Sequence, residues 1–285
     1  MAINLSKVSY TYEPHQNKKL NTYVLEDANV SIKTSGEFIA VCGHTGSGKS
    51  TLIQLLNALL VPTVGEVDID GNKITDKKAK NLKDIRKKVG LVFQFAEYQL
   101  FEETVLKDIA FGPLNFRMEN PYEKAKEALK LVGLDETFLE KSPFKLSGGE
   151  MRKVAIAGIL ASNPDVLVLD EPTVGLDPLA KKELINLLSD IHKQGKSIII
   201  VTHDMEVASR LAKRAIVLDE SKIVFDGNIN DLFKNEKLLQ EHSLELPEIV
   251  TILKELKDKL GVELDIYKYT VHDAIEEIKK VFAYE

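Results

Sequence analysis

The stretch Gly43-His44-Thr45-Gly46-Ser47-Gly48-Lys49-Ser50-Thr51 constrains this chain more than any other, because it joins the apolar run Phe38–Cys42 to a helical pattern starting near Lys49. A glycine loop between a buried strand and a helix N-terminus is the setting in which G-x-x-x-x-G-K-[ST] holds phosphate. Gly46 and Gly48 let the backbone wrap an anion with consecutive N–H groups pointing inward. Lys49 is placed to reach the β- and γ-phosphates and the Ser50 hydroxyl to complete a magnesium site. The helix N-terminus adds a favourable field.

Two further apolar runs end in polar side chains. Val166–Leu169 leads into Asp170-Glu171, and Ser197–Thr202 leads into His203. Continuously apolar strands belong to parallel sheets, whose C-terminal edges present ligands. Asp170 is suited to hold magnesium through water, Glu171 to polarise an attacking water, and His203 either to cap a helix or to sense a γ-phosphate. Ser147-Gly148-Gly149-Glu150 opens a helix with the capping-box spacing; the pair of glycines leaves a merely well-capped helix and an anion site as open readings.

The rest of the chain fills out an α/β pattern. Strands are expected at Ile3–Tyr12, Val24–Ile32, inside Thr63–Gly71, and at Val89–Gln94, with a polar turn at Glu13–Asn21. The helix after the phosphate loop uses Leu52, Ile53, Leu55, Leu56 and Leu59 and stops before Pro62. Asp76–Lys88 reads as a solvated segment or short helix. Thr104–Leu134 is helical, with a break at Gly112-Pro113 and closure at Gly133, so that this mainly helical insert forms a lobe. Further helices carry Leu184, Leu187, Leu188 and Ile191, closed by Gly195, and Val207, Ala208, Leu211 and Ala212. A hairpin of Arg214–Leu218 and Lys222–Phe225 follows, and the nucleotide-binding unit ends near Phe233. Beyond it come an amphipathic helix on Leu246, Ile249, Leu253, Leu256 and Leu260 before Gly261, a short strand at Glu263–Tyr267, and a helix capped by Thr270 with Ala274, Ile275, Ile278 and Phe282 on one face. This appendage reads either as packing or as a dimerisation surface.

Composition narrows the function. A net charge of -6 argues against general nucleic-acid binding, and 44% hydrophobic with 29% charged residues fits a folded, soluble protein. No run approaches the roughly 18 apolar residues of a membrane span, and the N-terminus lacks the pattern of a signal peptide. A membrane role therefore implies docking to a membrane partner. Cys42, the only cysteine, excludes an intrachain disulfide and reads as a small buried side chain.

Gly43–Thr51, Gln94, Leu146–Glu150, Val166–Glu171, Gly175-Leu176-Asp177 and His203 occur in this order, and the set resembles the ATP-binding-cassette ATPases over residues 3–233. The resemblance implies an ABC-type P-loop nucleotide-binding domain, 1–233, with a helical signature subdomain at approximately 95–163 and a small C-terminal α/β appendage, 234–285. It implies ATP and Mg2+ as ligands, and a head-to-tail pair of cassettes closing over two ATP molecules. Residues 43–51 hold the phosphates, Ser50, Gln94 and Asp170 the metal, and Tyr12, with Tyr10 as the alternative, stacks on adenine. Lys49, Gln94, Glu171 and His203 serve hydrolysis, while Ser147, Gly148 and Gly149 cover the γ-phosphate of the opposite subunit and Asp177 communicates across the dimer. Glu150 stands where many members carry glutamine; it borders the glycines, so activity is expected to survive.

Tyr10-Thr11-Tyr12, Phe93–Phe101, Leu146–Gly158 and the added C-terminal segment resemble more closely the ATPases of energy-coupling factor transporters, the importers of cobalt, nickel and vitamins. Met151-Arg152-Lys153 is more similar to the second of their two paralogues than to the first. The resemblance implies a second ATPase, a transmembrane scaffold and a small substrate-binding membrane protein as partners, at the cytoplasmic face of the cell membrane. A conventional permease subunit, or a soluble ATPase acting on ribosomes or nucleic acid, is the alternative.

Overall fold

A computed structural model of the chain describes residues 2–15, 17, 21–75, 78, 79 and 81–282. Part of the Glu13–Asn21 turn (Gln16, Lys18, Lys19 and Leu20), the residues Asp76, Lys77 and Lys80 of the charged stretch, and the side chain of Phe282 lie outside them. In chain order the strands are β1 Ala2–Tyr10, β2 Leu25–Lys33, β3 Phe38–Cys42, β4 Val64–Ile69, β5 Asn72–Thr75, β6 Lys78–Ala79, β7 Val89–Val92, β8 Val166–Asp170, β9 Ser197–Val201, β10 Arg214–Asp219 and β11 Lys222–Asn228. The α-helices are α1 Lys49–Leu56, α2 Leu82–Lys88, α3 Val105–Asn115, α4 Pro121–Leu131, α5 Gly148–Leu160, α6 Pro178–Lys193, α7 Met205–Leu211, α8 Ile229–Lys234, α9 Glu236–Glu241, α10 Glu248–Leu260 and α11 Val271–Phe282.

The central sheet runs β11-β10-β3-β9-β8-β7, parallel from β10 to β7 with β11 antiparallel at the edge. Every residue of β3, β8 and β9 is buried, which is why these strands read as continuous apolar runs. Alternate side chains serve opposite faces. Ile39, Val41, Val168 and Ile199 pack with Leu52, Leu55 and Leu56 of α1, whereas Phe38, Ala40, Leu167, Leu169 and Ile198 pack towards the helices on the other side. The antiparallel sheet β2-β1-β4-β5-β6 covers α1 from outside, so that helix is enclosed between two sheets.

On the other face, Ile109, Ala125, Leu129 and Ile156 of the helical insert share one continuous apolar core with the central sheet and with Leu232 and Phe233 of α8 and Leu239 of α9. The parallel order places Asp219, Gly43, His203, Asp170 and Gln94 across a single sheet edge, each at or just past the C-terminal end of its strand.

Four local expectations need correction. Leu59 lies beyond the end of α1, capped at Asn57, and is exposed. Pro113 does not break its helix: it sits in the last turns of α3, where the missing N–H forfeits one bond near an end at Asn115. Glu263–Tyr267 finds no strand partner among the described residues, so the region after β11 is helical. In α10 Leu253 is buried as expected together with Val250, whereas Ile249 and Leu256 are half-buried and Leu260 is exposed. The capping box at Ser147, the cap at Thr270 and the left-handed stop at Gly261 all form as expected.

Candidate functional site

The phosphate loop leaves β3 under tight steric control. A Cβ on Gly43 (φ 139°) would lie 2.1 Å from the Leu218 carbonyl oxygen of β10, and one on Gly48 (φ 102°) would lie 2.5 Å from the Val24 carbonyl oxygen. Only glycine fits either place. The Lys49 ammonium donates to the Gly43 and His44 carbonyls, both at 2.8 Å, folding the loop around its own lysine. The Ser50 hydroxyl donates to Asp170 Oδ2 at 3.0 Å, and the Thr51 hydroxyl is 3.3 Å from the Tyr12 hydroxyl, which fixes Tyr12 beside the loop with its ring against Tyr10.

Glu171 follows β8 with φ 45°, a left-handed turn that a non-glycine residue holds only against strain. Its backbone N–H is tied to the Val201 carbonyl of β9 at 2.9 Å. Oε1 accepts from His203 Nδ1 at 3.0 Å, whereas Oε2 is buried without a partner among the described residues, as is Ser47 Oγ in the loop. Buried oxygens left unpaired are costly, so they mark where a ligand group or water belongs. Gly43, His44, Thr45, Lys49, Glu171 and His203 line one cavity of about 870 Å³, closed on its far side by Leu244, Leu246, Pro247 and Thr251 of the C-terminal region.

Burial lowers the Lys49 ammonium from its ordinary pKa, against the opposing pull of Glu171 and Asp170, and raises the Asp170 carboxyl, against the Ser50 hydrogen bond. Phosphate at Lys49 would oppose the first shift and a cation at Asp170 the second. A hard divalent cation fits the Ser50 hydroxyl and Asp170 carboxylate. Among the described residues no group of three or more His, Cys, Asp or Glu forms a metal cage, the condition under which magnesium relies on substrate phosphates for its remaining ligands. Gln94, past the end of neighbouring β7, is exposed and makes no side-chain hydrogen bond among the described residues. Cys42, buried with its thiol pushed up to about 12, is chemically quiet.

Ser147, Gly148, Gly149 and Asp177 do not join this cavity. They line a separate one of about 480 Å³ with Phe95, Glu150 and Arg152. Ser147 N–H and Oγ donate to Glu150 Oε2 at 2.8 and 2.7 Å, and Asp177 accepts from the Leu179 and Ala180 N–H groups at 2.9 Å as the cap of α6. Arg152, which the sequence reading assigned no role, is buried here, donating to the Pro172 and Val174 carbonyls at 3.1 and 2.8 Å and pairing with Glu97 at 3.4 Å. Burial of an arginine cannot be read from its neighbours in sequence.

The ABC transporter family profile matches residues 25–174. Over 262 residues, 90% of this chain and 95% of the relative, the chain is 50% identical to the energy-coupling factor transporter ATP-binding protein EcfA2 of Bacillus subtilis. It is 48% identical over 281 residues to the protein of that name in Caldanaerobacter subterraneus, covering 98% of this chain and 96% of the relative. Among solved structures it resembles cbiO1 of Clostridium perfringens, part of the ABC transporter complex cbiONQ, with TM-score 0.73, 32% identity and coverage of 91% of this chain and 98% of that one. It also resembles the cassette MJ0796 in a dimeric post-hydrolysis state with ADP and Pi, with TM-score 0.69, 34% identity and coverage of 80% and 98%.

Proposed function

The chain belongs to the ABC transporter family, among the ATP-binding subunits of energy-coupling factor transporters, and from that membership we propose the following division of labour for ATP hydrolysis in import. Residues 43–51 hold the triphosphate, Lys49 balancing the β- and γ-phosphate charge and Tyr12 stacking on adenine. Ser50, Asp170 and Gln94 hold magnesium, which when bound supplies positive charge against the phosphate oxygens. Glu171 orients the attacking water through the oxygen left free by His203, and His203 meets the γ-phosphate. The chemistry is phosphoryl transfer to water, achieved by positioning and fixed charge.

One observation carries this reading: the phosphate loop and the Ser147–Gly149 turn open into different cavities. One chain therefore builds the first half of the catalytic centre, and a second cassette supplies Ser147, Gly148, Gly149 and Asp177 from its own second cavity. ATP closes the pair and hydrolysis reopens it.

The family membership implies a partner ATPase and membrane components. The finer reading is a transmembrane scaffold seated near Gln94–Phe101, with a small substrate-binding membrane protein beyond it and a vitamin or transition-metal ion as cargo. Phe95, Tyr98 and Phe101 are exposed in that stretch, Tyr98 at 85%. Among the described residues no helix is long and apolar enough to cross a membrane; by its family this subunit works peripherally, on the cytoplasmic face. Residues 1–233 form the ATPase unit, approximately 95–163 its helical subdomain, and 234–285 the appendage.

Mass spectrometry of proteins copurifying with the tagged chain from gently solubilised membranes tests the assembly. A scaffold, another cassette ATPase and a small membrane protein are expected. A conventional permease alone would overturn the energy-coupling reading, and a soluble ribosomal or nucleic-acid complex would overturn the membrane role.

A further inference from the structure

Asp219 is the last residue of β10, immediately after the Leu218 carbonyl that makes Gly43 obligatory. Its two carboxylate oxygens have different partners. Oδ1 is 2.8 Å from Nε2 of His44 in the phosphate loop, and Oδ2 is 2.6 Å from Nδ1 of His242, the residue that ends α9. His44 Nδ1 in turn lies 2.7 Å from the Thr45 carbonyl oxygen. The contact thus spans the loop, the sheet edge and the C-terminal region, whose next residues, Ser243–Glu248, wall the nucleotide cavity.

We propose that Asp219 is a positioning residue for the nucleotide reaction: it clasps His44 to hold the phosphate loop in its binding conformation and, through His242, makes that conformation depend on how the C-terminal region is seated. The inference rests on the reading of residues 43–51 as the nucleotide site. Asp219 touches no reacting atom, so its effect falls on ATP affinity, because a loop released from its clasp must be ordered at the moment of binding. The coupling is reciprocal by linkage: ATP that tightens the loop must also steady the α9 end at His242.

The sign of the effect separates positioning from bare charge. Asparagine offers one accepting oxygen where aspartate offers two, so it cannot serve both histidines alike. Were Asp219 only a negative charge near a polyanion, Asp219→Asn would tighten ATP binding; as a clasp, it weakens it. With the full-length chain, fluorescent-ATP titration and steady-state ATPase assays should show Asp219→Asn raising the Kd and KM for ATP roughly fivefold with kcat within about twofold. His242→Ala should shift both in the same direction by less, and the double variant should be no worse than Asp219→Asn alone, since one acts through the other. Hydrogen exchange in the unmodified chain should slow across 237–242 when ATP binds, a readout available even if a variant fails to fold.

Unchanged or tighter ATP binding in Asp219→Asn overturns the clasp. Additive effects, or exchange at 237–242 indifferent to ATP, overturn the link to the C-terminal region. Lys49→Ala binding ATP normally would instead sink the nucleotide reading beneath the proposal, so the two failures are told apart.

Discussion

The two cavities use similar residue types to opposite ends. Around the phosphate loop, two polar groups are left unpaired among the described residues, Glu171 Oε2 at a left-handed turn and Ser47 Oγ, while Lys49 is satisfied only by its own loop carbonyls. Around Ser147 the polar groups are satisfied within the chain, through the capping box, the Asp177 cap and the carbonyls that hold Arg152. A site left unsatisfied is waiting for its own ligand. A turn whose side chains are bonded within the chain, with its glycine N–H groups left to donate, is a preorganised platform, suited to a ligand held by someone else.

The sharpest test of that contrast is Glu171→Gln. Turnover should fall roughly 10²- to 10⁴-fold, because the amide cannot polarise water as the carboxylate does, while ATP binding persists. Near-normal turnover would remove Glu171 from the chemistry. Next in size, Lys49→Ala should weaken ATP binding by about 10- to 100-fold, the scale of losing hydrogen bonds to a charged partner. Ser147→Ala comes third. Loss of the cap costs about 1 kcal/mol of stability; hydrolysis should drop while ATP affinity of the isolated chain, read by titration, holds. If affinity fell as far as in Lys49→Ala, the two cavities would be one site in a single chain and the comparison would fail.

How far each cavity was legible follows from the range of the interactions that build it. The phosphate loop and the Ser147 cap are made by neighbours in sequence, glycine conformations and a side chain bonding three residues on, so spacing alone carries them. The strands ending at Asp170 and Val201 were legible because full burial writes itself as an unbroken apolar run. Hidden features depend on distant partners. The His44–Asp219–His242 bridge joins three segments that no periodicity connects, and Arg152 gives no local sign that carbonyls at 172 and 174 await it. The errors have the same origin: Pro113 reads as a breaker until the helix is seen to end two residues later, and Glu263–Tyr267 reads as a strand until it is seen to pair with none among the described residues.

The smallest effect tests whether the platform is set by geometry or by charge. Glu150 Oε2 accepts both Ser147 bonds, and those bonds, the backbone N–H first and the hydroxyl second, hold its carboxyl below the usual range. A depressed folded-state value means the carboxylate adds stability above its unfolded value, and the gain fades as pH falls through the folded one. Glutamine can accept the same two bonds through its amide oxygen, so the capping box survives the change. Glu150→Gln should therefore lower stability slightly at neutral pH, and the difference should vanish in acid, as denaturant melts at the two pH values would show. Hydrolysis should be retained, with KM for ATP equal or lower, because the substitution removes a negative charge bordering the glycines proposed to face the partner's phosphate. A Glu150→Gln protein that folds but loses most of its turnover would mean that the charge itself is required, and that the second cavity does more than present a bonded turn.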